Sequence, residues 1–183
     1  MKPHYLAKVE SLRALDDFHD SFDRAFSIVA FITNRFLVDH MLRAGRLLVE
    51  NDYIELVIWG VLAHQNVAHL LPPGSMPTAI LRRDGYVPDY ERRMRPMKLR
   101  DVAQITGLPR ETVRRKLEQL ARRGYVLRTE EGWMVSVERV EPELREFTRE
   151  SVLRLVTAAD EVMRALIDAD AEASAPVQRR ADE

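Results

Sequence analysis

Apolar residues recur at helical spacing in several stretches of the chain. Leu15, Phe18, Phe22, Phe26, Val29 and Phe36 keep steps of three, four and seven residues, which predicts a helix from about Leu15. Asp16, Asp17, Asp20 and Asp23 lie near its start, where carboxylates suit the positive end of the helix dipole. From Ile28 to Ile32 this helix is apolar all round, so it needs cover on more than one side. A chain with few other elements points to a second subunit as the source. Gly45 reads as a break. A second helix is predicted from Asn51 or Asp52, acceptable N-caps, to about Leu70. The run Leu71-Pro72-Pro73-Gly74-Ser75-Met76-Pro77 ends it. Residues 71–95 then form a long connection, with a short helix expected near Thr78–Arg83.

Signals crowd together after Pro96. Lys98–Thr106 reads as a short helix, Gly107-Leu108-Pro109 as a tight turn, and Arg110–Arg123 as a second helix with Gly124 as its C-cap. Tyr125–Arg128 and Trp133–Val137 read as strands joined by Thr129-Glu130-Glu131-Gly132, a hairpin turn. A last helix is placed from Glu141-Pro142. Its stripe is Val152, Leu155, Val156, Ala159, Val162, Met163 and Leu166. The tail from Ala171 reads as disordered. The expected fold is mainly α with a small β-hairpin wing, a winged helix-turn-helix flanked by N- and C-terminal dimerisation helices. Its divisions are a helical dimerisation region (1–70), a connecting segment (71–95), the winged module (96–137), a C-terminal dimerisation helix (138–170) and the tail (171–183).

Composition sharpens this only when read by position. The chain has 183 residues, no cysteine and a net charge of −1. The missing cysteines exclude disulfides, thiolate metal sites and a Cys nucleophile. Arg92 to Arg128, however, carries a net +9, which leaves −10 on the remainder. A compact basic module in an acidic chain suits a phosphate backbone while limiting non-specific adhesion. Apart from that, a net charge near zero would argue against a nucleic-acid binder.

The apolar framework of the module agrees with the order helix, turn, helix, hairpin. Val102 and Ile105 are placed to pack on Val113, Leu117 and Leu120. Arg115 and Arg122 then face outward, with Glu111 and Glu118 beside them. Arginine forks and carboxylate acceptors on one outward face fit the major groove, where Arg takes guanine O6/N7 and Glu accepts from cytosine N4. Lys98, Arg100 and Arg114 are candidate phosphate contacts. Thr112 is a candidate for phosphate or base, and Arg128 is the wing candidate, because Glu130 and Glu131 occupy the turn. Arg92, Arg93 and Arg95 read either as a basic arm or as a solvated loop.

The stretch Asp101–Arg115 resembles the helix-turn-helix of bacterial transcription regulators. Within it, Arg110-Glu111-Thr112-Val113-x-Arg115 is similar to the recognition helix of the cyclic-AMP receptor protein family. That resemblance implies base contacts for Arg110, Glu111 and Arg115. It covers residues 97–137 only, and the helical N-terminal part differs from the β-roll of that family. The layout as a whole resembles MarR-like regulators, which implies that the Asn51–Leu70 helix is also the first helix of the winged domain and that the terminal helices dimerise. Residues 71–95 are then an insertion.

Other chemistry finds little footing. His64 and His69 are five residues apart and do not share a helix face. His19 and Asp23 are explained by a solvated helix start. No H-E-x-x-H, Gly-rich phosphate loop or G-x-S-x-G elbow occurs. Tyr53 and Trp59 read as core rather than pocket lining. No uninterrupted apolar run approaches the ~20 residues of a spanning helix, and no signal core follows the N-terminus. The reading is therefore a cytoplasmic, non-enzymatic, homodimeric regulator that binds double-stranded DNA at an inverted repeat, with no cofactor, no metal and no membrane partner. Control by a small-molecule effector stays open, as does the alternative of a winged-helix protein-interaction module.

Overall fold

The computed structural model describes residues 18–70 and 89–174. In chain order they form α1 (Phe18–Leu48), α2 (Tyr53–Val67) with a 3-10 turn at Ala68–Leu70, and α3 (Tyr90–Arg93). Next come α4 (Leu99–Thr106), α5 (Arg110–Arg122), β1 (Val126–Arg128), β2 (Trp133–Val135) and α6 (Val137–Ser174). The fold is mainly α with one antiparallel hairpin after the helix-turn-helix, as the sequence predicts. The chain divides into two compact units, residues 43–147, and residues 1–42 with 148–183.

The 43–147 unit is a winged helix-turn-helix. Alternate turns of three helices supply its centre. Ile58 and Leu62 of α2, Val102 of α4, and Val113, Leu117 and Leu120 of α5 are all 0% exposed. Burial of that kind stabilises by about 1.5–3 kcal/mol per side chain. Asp52 caps α2, its carboxylate accepting the Glu55 amide at 3.1 Å, as expected of an Asp N-cap. Gly107 closes α4 in the left-handed region at φ 68°, where a glycine carries no Cβ penalty. The hairpin pairs Val126 with Val135 and Arg128 with Trp133. Met97 adds a bridge to Trp133 through two amide bonds of 3.0 and 2.8 Å.

Several boundaries differ from the sequence reading. α1 runs unbroken through Gly45. A Cβ there would lie 2.7 Å from the Tyr53 ring, so this glycine admits a close neighbour and does not break the helix. The turn comes later, at Glu50 and Asn51, with φ 53° and 68°. Asn51 donates its amide to the Gly45 carbonyl at 2.8 Å. α6 begins at Val137, which the sequence had placed in a strand, and four residues before the predicted Glu141. Ser136, a residue type favoured before a helix, stands in front of it. α6 also continues through residues 171–174, past the predicted start of the tail. Ile105, expected in the core, is 51% exposed. The helix near Thr78–Arg83, the start at Leu15–Asp17 and the rest of the tail lie outside the described residues.

The other unit pairs the first part of α1 with the last part of α6, running antiparallel. Ser21 donates to Asp170 at 3.1 Å. Farther along, Arg35 pairs with Glu161, and Asp39 with Arg154 at 3.4 Å. Ala25, Val29 and Leu166 form a small shared cluster, with Phe22, Val162, Ala165 and Ala169 against it. Of the predicted α6 stripe, Met163 and Leu166 are buried, whereas Val152, Leu155 and Val156 are half-exposed or more. By length and composition α1 contains a window apolar enough to cross a membrane, with mean hydropathy 1.3. Asn34, Arg35 and Asp39 interrupt it, which is why no single run showed it.

Candidate nucleic-acid interface

The recognition helix α5 is a two-faced cylinder. Its inner face, Val113, Leu117 and Leu120, is fully buried. Arg110, Glu111, Arg114, Arg115 and Arg122 are exposed, and Thr112 is half-buried. Spacings of three and four residues produce both faces from one sequence. Arg110, Arg115 and Arg122 form no ion pair among the described residues, so their guanidinium forks stay available to an external acceptor.

Other predicted contacts flank this helix. Lys98 is the residue before α4 and is exposed. Its backbone passes Gly132 of the wing turn, where a Cβ would lie 2.4 Å from the Met97 carbonyl oxygen. Arg100 is exposed, with its Nε 3.1 Å from the Asp101 carboxylate. Arg128 ends β1 with its guanidinium 5.7 Å from the Trp133 ring centre, an arrangement that favours a flat, oriented cation. Glu130 and Glu131 are exposed in the turn. Arg92, Arg93 and Arg95 are exposed on the approach to α4.

Two cations counted in the basic module face inward instead. Lys116 is 7% exposed. Its ammonium pairs with Asp52 and lies 3.6 Å from Glu55. Arg123 also pairs with Glu55, itself only 4% exposed, and lies 5.3 Å from the Tyr125 ring centre. Both carboxylates come from the start of α2, outside the stretch over which the charge was counted. Burial alone would raise the Asp52 carboxyl. The bonds from Lys116 and the Glu55 amide outweigh it and hold that group below its ordinary range.

Asn66 was not singled out by the sequence. It is 0% exposed. Its Nδ2 donates to the carbonyls of Arg95 (2.7 Å) and Trp133 (3.2 Å), and its Oδ1 accepts the Val135 amide at 3.0 Å. One side chain therefore ties α2, the segment before α4 and the wing together. A lone asparagine in an apolar helix gives no signal of this, since its partners are backbone groups.

Residues 91–130 match the family model of the IclR helix-turn-helix domain. With the buried three-helix core and the hairpin, this makes the module a winged helix-turn-helix DNA-binding domain of a transcription regulator. The match is of the IclR type and names neither the cyclic-AMP receptor family nor MarR-like proteins. No curated protein and no solved structure matches the chain. Among the described residues no cluster of three or more His, Asp or Glu suits a metal ion.

Proposed function

We propose that this regulator acts as a homodimer on an inverted-repeat operator in double-stranded DNA, in the cytoplasm. α5 enters the major groove, with Arg110, Glu111 and Arg115 at base edges and Thr112 at base or phosphate. Lys98, Arg100 and Arg128 hold phosphates on either side. The observation that carries this is the outer face of α5. Arg110 and Arg115 stand exposed there and form no ion pair among the described residues, opposite a stripe with no exposure at all.

Dimerisation is assigned to the α1–α6 pair. Among the described residues of that unit, thirteen large apolar side chains, eight on α1 and five on α6, are 41–66% exposed. A monomer that leaves so many large apolar side chains in water has surface to cover, which is the mark of an interaction face. A second copy supplies a matching face, and a two-fold axis sets two recognition helices about 34 Å apart, one turn of B-DNA.

The test is binding of the full chain to random genomic duplexes over a salt series, followed by selection of a tight site. Affinity that falls steeply with salt, and a palindromic selected site, are expected. Arg115→Ala is expected to lose about 1–3 kcal/mol on that site and to relax one base position. Absence of binding at low salt overturns the DNA reading in favour of a protein-docking module. A monomer in light scattering, or flotation with lipid vesicles, overturns the dimer.

A further inference from the structure

Arg114 was counted above as a phosphate candidate, but its geometry assigns it elsewhere. Its Nε donates to Glu111 at 2.9 Å, and a terminal nitrogen donates to the other Glu111 oxygen. The second terminal nitrogen donates to Glu118 at 2.5 Å. Arg114 thus grips Glu111 in the bidentate, fork-on-carboxylate manner and Glu118 with its remaining arm. The three positions are i, i+3 and i+7 along α5, so the chain of bonds follows one row of the helix surface.

To reach a phosphate, this guanidinium would leave two carboxylates facing the DNA uncompensated. Arg110 and Arg115, on either side of it in the sequence, make no hydrogen bond to a carboxylate among the described residues. Glu111 stands in the first turn of α5, the end of a recognition helix that meets base edges. Its side chain is 73% exposed; Arg115 adds a smaller charge attraction, and only Arg114 among the described residues bonds to it. The hydrogen bond from Arg114 holds its carboxyl below the ordinary range, so it stays an acceptor.

We infer that Arg114 is a positioning residue: it aims the Glu111 carboxylate at a base-edge amino donor and offsets the charge of Glu111 and Glu118, without touching DNA. The inference rests on the DNA reading above. The amino donor that a carboxylate takes in the major groove is cytosine N4.

The test uses a duplex selected from a random library by the full chain, and the same duplex with each base pair changed in turn. Arg114→Ala is expected to flatten discrimination at one C·G pair by at least about fivefold, with other positions little changed. Arg114→Lys is expected to behave like Arg114→Ala, because one ammonium cannot fork two carboxylates. In a Glu111→Ala background, Arg114→Ala is expected to cost no further discrimination. A phosphate contact predicts the reverse on each count: uniform weakening across sequences, rescue by lysine, and the same loss in both backgrounds. Any of those three results overturns the inference. The thermal midpoint checks folding, and all three side chains are at least 36% exposed. If the unaltered protein selects no duplex, the DNA reading itself has failed, and that is seen before any variant is made.

Discussion

Asn66 shows how much one side chain can settle. Replacement by leucine keeps the volume but strands the buried Val135 amide and takes a donor from the Arg95 and Trp133 carbonyls, the second of which still accepts the Met97 amide. Each stranded group costs about 1–3 kcal/mol, and some relaxation is expected. Asn66→Leu should therefore lose about 2–4 kcal/mol in chemical denaturation, with the wing opening first in amide exchange. A loss under about 0.5 kcal/mol would mean that the three bonds are replaceable by solvent. Gly132 makes a separate case. Its φ is 155°, and a Cβ would meet backbone, not a movable side-chain end. Gly132→Ala should break the Met97–Trp133 bridge and cost about 1–3 kcal/mol, read by the same denaturation experiment. The turn glycine was legible in the sequence, because Thr-Glu-Glu-Gly between two apolar runs says hairpin. The Met97 backbone against it was not, since no pattern in the sequence reports which strand passes behind a turn.

At the scale of elements, helix periodicity located α2 and α5, which carry buried stripes, and turn residues located α4 and the hairpin, through Gly107-Leu108-Pro109 and Thr129-Glu130-Glu131-Gly132. The same reasoning failed at Gly45 and at Lys116. Glycine was read as a stop, yet the helix passes through it to let Tyr53 approach. Lys116 was counted with the cations of the basic module, yet it borders the apolar stripe and meets the carboxylates that begin α2. Those carboxylates fasten the recognition helix to its support. The Asp52 carboxyl has its pKa below the unfolded value in the fold. Its contribution is therefore present above about pH 4 and fades as pH falls through the folded pKa. Asp52→Asn keeps a good helix cap but loses the pairing. It should cost about 1 kcal/mol at pH 7, a figure already reduced for the group's partial exposure. The gap between variant and unaltered protein should close as pH falls below about 4 in paired urea titrations. A gap that is constant with pH would assign the loss to capping or packing.

For the whole molecule, the charge balance and the apolar balance lead to the same arrangement. The twelve cations of the central stretch are partly cancelled at home, Lys116 and Arg123 by Asp52 and Glu55 on the inner side and Arg114 by Glu111 and Glu118. Among the described residues Arg92, Arg93, Arg95, Lys98, Arg110, Arg115, Arg122 and Arg128 form no ion pair, and of these only Arg110, Arg115 and Arg122 lie on α5, a short list better suited to reading a site than to coating DNA. One copy with so few contacts binds weakly. Two copies on a two-fold axis raise the effective concentration of the second for its half-site, and the exposed α1–α6 faces are where such an axis is expected. Phe31 is 66% and Val156 62% exposed, and neither belongs to the Ala25–Val29–Leu166 cluster. Phe31→Asp and Val156→Asp should therefore leave the denaturation of the winged unit unchanged while shifting light-scattering mass from dimer to monomer. Affinity for the full inverted repeat should then fall at least about tenfold, toward that for a single half-site, because the linked second binding event is lost. Half-site affinity itself should not move, since both residues lie outside the 43–147 unit. If the variants stayed dimeric, or if half-site and full-site binding fell together, the apolar face would have to be assigned to another partner.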